Sequence, residues 1–371
     1  MGQLSVLSTV GSSGSLSRRE WIRATALTGA VAAAPGVVGA DPHQPGTTHA
    51  RQPDQPGQPA GSPGAGPGPA CGQGAGFYRL AVGTAQVTVV SDGAFQLSPA
   101  YPTLAVNGTR ENVERALRRE FLSPEGVPTH VNALLVRTGT DTVLVDAGCG
   151  PLFGPTTGHL IENLARAGTR PDEITAVLLT HLHGDHIGGL LDEAGRSRFP
   201  KAELLLHADE HAFWSAEDPD LSASALPAER RAGMVRAAKR LLGAARFTLL
   251  RGAAQVRPGI VLVPAPGHTP GHCGLLIDGG GDNQLLSITD AIHNAAIQLA
   301  HPEYYVAFDT APEQAVEARK RLLDRAAAER VLVTGAHLPF PAIGHVRRRD
   351  EESREAGAAY EWVPEVWRWH A

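Results

Sequence analysis

Three histidines and one aspartate crowd six consecutive positions, His181-Leu182-His183-Gly184-Asp185-His186. Imidazole and carboxylate at that density form the donor set of a divalent transition metal such as Zn²⁺, Mn²⁺, Fe²⁺ or Co²⁺. The run follows the apolar segment Ala176–Thr180 and therefore leaves the end of a strand. In its extended part His181 and His183 point the same way, because side chains alternate with period two. Asp185 and His186 fall in the turn beyond and can face a second point in space. Gly184, Gly188 and Gly189 allow the backbone to bend tightly beside them. Four donors do not complete two metal shells, so the rest must arrive from distant parts of the chain.

The remaining candidates share one setting, the end of an apolar strand. Ile260–Val263 leads to Gly267-His268-Thr269-Pro270-Gly271-His272, Leu285–Ile288 leads to Thr289-Asp290, and Val331–Val333 leads to Gly335-Ala336-His337. Donors delivered from several rigid strand ends onto one sheet edge make a preorganised site. Asp146, closing Val143-Leu144-Val145, reads as an acceptor that orients a ligand imidazole. His272 reads as a local hydrogen-bonding residue, and His293, three positions beyond Asp290, could reach a substrate. His207 and His211, one helical turn apart, read as packing at a helix start. No Gly-x-Ser-x-Gly motif offers a serine nucleophile in place of a metal.

Short apolar runs separated by Gly, Pro and Asp supply the strands that must hold these residues. They are Arg79–Val90, Val131–Val136, Thr142–Val145, Ala176–Thr180, Glu203–Leu206, Phe247–Leu250, Ile260–Val263, Gly274–Ile277, Leu285–Ile288 and Val331–Val333. Helical patterns lie at Glu111–Phe121, His159–Arg166, Ala228–Leu242 and Glu313–Ala328. Strands follow one another early and helices come later, which suggests helices layered around mixed sheets and not a regular βαβ alternation.

Upstream of that domain, residues 1–40 carry the pattern of an export signal. Arg18-Arg19 precedes large apolar residues, a mildly apolar stretch follows from Ala24 to Val38, and Val38-Gly39-Ala40 ends in small residues. The stretch is too short and too rich in Ala and Gly to span a membrane convincingly. Residues 41–76 hold 8 Pro and 9 Gly with no aliphatic side chain larger than Ala, so they read as a disordered linker. The folded domain is then 77–371. The whole chain carries a net charge of −5 and no long basic block, which argues against a nucleic-acid partner. Three cysteines, Cys71, Cys149 and Cys273, form no Cys-x-x-Cys pair and make no zinc ribbon; Cys149 and Cys273 could pair after export. Trp362, Trp367 and Trp369 crowd the last ten residues and suit either a packed tail or a homodimer contact.

The order His-x-His-x-Asp-His, then Gly-His-Thr-Pro-Gly-His, an aspartate after a strand and a final histidine resembles the metallo-β-lactamase fold superfamily, from about Phe77 to Val346. The resemblance implies an α/β fold, an αββα sandwich of two mixed β-sheets flanked by helices, with the metal site on one edge. By position it implies one metal on His181, His183 and His268, a second on Asp185, His186 and His337, and Asp290 bridging both. A narrower pattern resembles the methyl parathion hydrolase group and nearby lactonases and arylesterases. It comprises Leu144-Val145-Asp146-Ala147-Gly148, Leu152-Phe153-Gly154-Pro155, Asp290-Ala291-Ile292-His293 and Ala336-His337-Leu338-Pro339-Phe340-Pro341. Cys149 departs from that pattern, and nothing connects it to activity.

What the resemblance implies is a binuclear metal-dependent hydrolase. Two divalent cations, zinc first and manganese, iron or cobalt next, would share a bridging hydroxide that attacks small esters, lactones or phosphotriesters. Asp185 would orient the hydroxide or carry its proton. Three alternatives share the fold. A glyoxalase II-type thioesterase would bring a basic segment near the C-terminus that is not evident here. A β-lactamase of the best-known type would place a thiolate where Asp290 stands. Iron-dependent redox enzymes use fewer or different ligands.

Export by the twin-arginine route, to the periplasm or beyond and with no stable membrane anchor after processing, has a direct test. Replacing Arg18 and Arg19 together by lysine should leave the protein in the cytoplasmic fraction, and unchanged export of the variant would refute the signal.

Overall fold

The structure, a computed structural model, describes residues 74–349 and 359–366. The expected export signal, nearly all of the expected linker, Cys71, Trp367 and Trp369 lie outside the described residues. Among the described residues no helix is long and apolar enough to cross a membrane.

Two seven-stranded sheets account for the strands among the described residues. The first runs in chain order from β1 (Phe77–Val82) through β2 (Ala85–Leu97), β3 (Val127–Thr138), β4 (Asp141–Val145), β5 (Ala176–Leu179) and β6 (Glu203–His207) to β7 (Thr248–Leu250). Its first four strands pair antiparallel, and β4 to β7 pair parallel. The second is built from β8 (Gln255–Arg257), β9 (Ile260–Pro264), β10 (Cys273–Asp278), β11 (Gln284–Ser287), β12 (Leu332–Thr334), β13 (Ile343–Arg348) and β14 (Tyr360–Pro364). Only β11 and β12 run parallel in it. Both sheets are mixed, and helices flank them.

Period-two burial explains the layering. Along β5, Leu178 faces a core shared by the two sheets, with Leu80, Val87 and Leu134 from the first and Ile260, Leu275 and Leu285 from the second. Its neighbours Val177 and Leu179 face the opposite way, onto Leu160, Leu164, Trp214 and Leu241 of the outer helices. Each fully buried side chain of this size contributes about 1.5–3 kcal/mol. A one-residue slip of β5 would therefore expose both layers at once and scatter the donors that follow it.

The helices Arg110–Arg119, Leu160–Arg166, Ala228–Ala244 and Pro312–Glu329 fall within a few residues of their expected bounds. Local chemistry sets their ends. The Thr109 hydroxyl accepts the Asn112 N–H at the start of the first, and Pro312 opens the last, where its missing N–H costs nothing. The expected single strand Arg79–Val90 is instead the hairpin β1–β2. Gly83 turns at φ +56°, and a Cβ there would lie 2.0 Å from the Gly279 carbonyl oxygen, so this turn requires glycine. Strands β13 and β14 carry too many charges, Arg347, Arg348 and Glu361 among them, to show the apolar alternation that marks a strand.

Asp92 ties a long loop to the first sheet. It is fully buried on β2, and its carboxylate accepts the N–H groups of Cys149 (2.8 Å), Gly158 (3.0 Å) and Leu160 (2.9 Å). Cys149 lies within that loop as a buried free thiol, and Cys273 at the start of β10 is another, so the two do not pair. Replacing Asp92 by alanine strands three buried donors. The expected loss is about 3 kcal/mol or more in urea unfolding, at the low end of 1–3 kcal/mol per orphaned group. Asp92→Asn, which keeps one acceptor oxygen, should lose less.

Candidate metal centre

The first sheet delivers its donors through the loops after β4 and β5. Asp146 follows β4 in the left-handed region, at φ +64°. Its Oδ1 accepts the Thr180 N–H at 2.8 Å, which locks the end of β5 to the end of β4. Its Oδ2 accepts the Thr180 hydroxyl at 2.9 Å and the His186 Nδ1–H at 2.8 Å. The Thr180 hydroxyl, having donated to Asp146, accepts from His181 Nδ1 at 3.1 Å. One carboxylate thus orients His186 directly and His181 through a hydroxyl.

The second sheet does the same with other partners. His337, after β12, donates Nδ1–H to the His130 carbonyl oxygen at 2.7 Å. His268, after β9, donates Nδ1–H to Asp309 Oδ1 at 2.8 Å. In each of these four imidazoles the outer nitrogen carries a proton and the inner Nε2 faces the centre, where that of His337 hydrogen-bonds Asp290 Oδ2 at 3.0 Å. His183 is turned the other way and brings its Nδ1 to 2.8 Å from His268 Nε2.

Asp290 stands where the inward groups meet. Its Oδ2 lies 3.0 Å from His337 Nε2, 3.2 Å from His186 Nε2, 3.5 Å from His268 Nε2 and 3.7 Å from His181 Nε2. Asp185 completes the group, with Oδ2 at 3.5 Å from His337 Nε2. All seven residues expected at the site therefore converge. Two clusters, His181/His183/His268 and Asp185/His186/His337, each have donor atoms within 4.8 Å of one another. Asp290 lies beside members of both.

Burial makes this crowding costly without a cation. The Nε2 atoms of His181 and His186 and the Oδ1 of Asp290 are buried and have no hydrogen-bond partner. Burial first, then neighbouring imidazoles, holds His181 and His268 well below the usual histidine range. Burial pulls His183 down to about 4 against the pull of Asp185 and Asp290. Burial also opposes charge on His186 and His337, but Asp290 and the other carboxylates outweigh it and raise both. Orphaned lone pairs aimed at one buried point are what a bound divalent cation would satisfy, so the residues present fit such a group.

Several other side chains take their places around this centre. His272 donates Nδ1–H to the Ala265 carbonyl at 2.8 Å, while its Nε2 accepts the Asp290 N–H at 3.3 Å and lies 2.7 Å from the Thr289 hydroxyl. That contact helps hold Thr289 at φ +42°, a strained value for a β-branched residue. Arg319, itself buried, donates to the Ala291 carbonyl at 2.6 Å on the far side of the same turn. His207 caps the helix Ala208–Ser215, and His211 contacts Ser215, so both lie outside the cluster. His293 comes closer than its sequence setting suggests. Its Nε2 is 3.2 Å from Asp290 Oδ2, and both ring nitrogens are buried without hydrogen bonds.

Asp309 is absent from the expected site, since it follows Phe308 in a loop with no histidine pattern. Burial pushes its carboxyl up to about 7, although Arg319 and the Val306 N–H work the other way. Around the donors the walls are aromatic. Phe95 and Phe153 stack with centroids 4.7 Å apart, and Phe308 and Trp214 lie edge-on to His183. A groove of about 800 Å³, lined in part by Arg119, His130, Leu299 and Trp362, includes His337 in its wall.

A two-sheet α/β sandwich with a histidine and aspartate cluster at its strand ends defines a class of metal-site proteins. Residues 126–349, more than half of the chain, match the metallo-beta-lactamase superfamily model, and the chain belongs to that superfamily. It is 32% identical over 181 residues to a probable metallo-hydrolase of Mycobacterium tuberculosis, covering 42% of this chain and 54% of that one. An N-acyl homoserine lactonase of a Bacillus species is 25% identical over 179 residues, covering 48% and 62%. The chain thus spans roughly half to two thirds of the length of these curated relatives. Among solved structures, AidC, a dizinc quorum-quenching lactonase, superposes with TM-score 0.73 at 28% identity, covering 79% of this chain and 98% of that one. The hydrolase AbOPH of the beta lactamase superfamily gives 0.71 at 30% identity, covering 80% and 100%.

The hydrogen bonds of His272 predict its tautomer. Long-range ¹H–¹⁵N spectra should show a neutral ring protonated on Nδ1. A ring protonated on Nε2 would contradict the contact with the Asp290 N–H.

Proposed function

We propose that this chain is a binuclear metal-dependent hydrolase of apolar esters and lactones, with phosphotriesters as a further substrate class. The observation that carries the reading is the set of buried, unpartnered donor atoms converging on Asp290. His181, His183 and His268 would hold one divalent ion, Asp185, His186 and His337 the other, and Asp290 would touch both. Zinc is the first candidate, in keeping with the dizinc lactonase among the similar structures. Such a metal pair, when bound, lowers the pKa of water and polarises a carbonyl or phosphoryl oxygen.

The protein's own residues divide the remaining work. Asp185 has the most exposed side chain among the four aspartates at the cluster, at 15% against 2% for Asp290, 6% for Asp146 and 1% for Asp309. It is therefore the carboxylate that arriving water and substrate can touch, and it can orient the water and accept its proton. The loop held by Asp92 places exposed Leu152 and Phe153 beside Gly184, next to His183 and Asp185. That apolar lip, with Phe95 behind Phe153, favours substrates with hydrocarbon or aryl groups over highly charged ones. The likeness to N-acyl homoserine lactonases supports lactones within that class. The three-part layout, with signal 1–40, linker 41–76 and domain 77–371, and delivery outside the cytoplasm belong to the same proposal.

The fully loaded protein should contain two metal ions per chain by elemental analysis. Asp290→Ala should weaken both sites and His337→Ala mainly one; a fully active preparation with one ion would refute the binuclear reading. Asp185→Asn preserves size but removes the charge, and turnover should fall at least ~100-fold. In a panel run on zinc, manganese, cobalt and iron forms, lactones and activated aryl esters should react fastest. Turnover of β-lactams or thiols alone would overturn the assignment.

A further inference from the structure

A carboxylate outside the donor set reaches both loops that bear His181, His183 and His268. Glu210, in the helix Ala208–Ser215, is fully buried. Its Oε1 accepts the Leu182 N–H at 2.9 Å and the Trp214 Nε1–H at 2.7 Å. Its Oε2 accepts the Thr269 hydroxyl at 2.6 Å and the Gly271 N–H at 2.9 Å. Leu182 lies between His181 and His183, and Thr269 follows His268. The Trp214 ring stands edge-on to His183 with centroids 6.1 Å apart. A Cβ on Gly271 would lie 2.2 Å from the Glu210 nitrogen, so the second loop rests directly on the helix start.

We propose that Glu210 is a positioning residue that fixes the His181–His183 segment against His268, and so sets the metal affinity of that half of the centre alone. The other half is oriented by different acceptors, Asp146 for His186 and the His130 carbonyl for His337. The proposal rests on the ligand assignment made under Proposed function. The four bonds explain why the residue is acidic. An ionised carboxylate makes shorter and roughly twice stronger hydrogen bonds than a neutral acceptor, and all four of its neighbours donate. Glutamine would keep the volume but turn an NH₂ towards two of those donors. Burial raises the Glu210 pKa, opposed by the Thr269, Leu182, Trp214 and Gly271 donors.

Zinc affinity of the purified full-length chain, measured by chelator competition with metal counted per chain, separates this role from a general brace. Wild type should bind two ions. Glu210→Gln should weaken one of them about 10–100-fold, the range for partners that orient metal ligands. Combined with His337→Ala it should leave almost no tight site, whereas combined with His183→Ala it should bind no worse than His183→Ala by itself. Thr269→Val, which removes only the 2.6 Å bond, should shift the same ion by a smaller factor. A folded Glu210→Gln that keeps both ions at wild-type affinity, or weakens both equally, overturns the proposal. If Glu210→Gln does not fold, Thr269→Val decides by the same two outcomes. Wild type that binds no metal would overturn the functional reading itself, while a two-ion wild type with an unaffected variant overturns only the role of Glu210.

Discussion

A neutral imidazole has one proton to place, and where that proton goes decides what the ring can bind. At the heart of this protein four histidines spend theirs outward, on Asp146, the Thr180 hydroxyl, Asp309 and the His130 carbonyl. The inner nitrogens lie 3.0–3.7 Å from Asp290 Oδ2, which His337 Nε2 hydrogen-bonds, while those of His181 and His186 are buried with no hydrogen-bond partner. Such a set is poor at stabilising a fold, since buried acceptors without donors cost free energy. It is well suited to a cation. The rest of the structure can be understood as the framework that holds those outward bonds in place.

That framework needs rigidity where the donors leave the sheets, and two backbone positions show its cost. Asp146 and Thr289 both lie at positive φ without being glycine, a condition worth about 1–3 kcal/mol of strain each. Each sits at a junction. Asp146 joins the ends of β4 and β5 through Thr180, and Thr289 precedes Asp290, with the Cys273 carbonyl accepting from its hydroxyl and His272 Nε2 accepting the Asp290 N–H. Strain persists in such places because several hydrogen bonds over-determine the conformation. The same bonds fix the backbone from which Asp290 and the His181–His186 run leave their strands.

How much of this was legible in the sequence follows from which interactions are local. The His181–His186 run, and the placement of His268, Asp290 and His337 after apolar strands, could be read because strand patterning and donor type both lie within a few residues. Asp146 could be read for the same reason, as an acidic residue closing an apolar strand. Asp309 and Glu210 could not. They act across 41 residues to His268 and 28 residues to Leu182, and nothing beside them announces a partner. The approach of His293 to Asp290 is not legible because the 3₁₀ turn Thr289–Ala291 folds it back, a bend that spacing alone does not reveal. The hairpin at Gly83 was missed because one glycine inside a run of alternating apolar residues is a weak turn signal.

The burial gradient across the centre connects this architecture to reactivity. The side chains of Asp290, His268 and His337 are 2% exposed and that of His181 is fully enclosed, whereas Asp185 keeps 15%. Enclosed donors lose little freedom on binding a cation and shield it from competing water, which favours retention of the ion. An open carboxylate suits the role proposed for Asp185, because a group that meets water and substrate cannot be walled in. Exposed Leu152 and Phe153 stand next to that opening, on the loop pinned by Asp92. Under the proposed function, retention and access would fall to different residues of one site. Leu152 and Phe153 pack beside Gly184, so the apolar lip lies next to the most open carboxylate of the group.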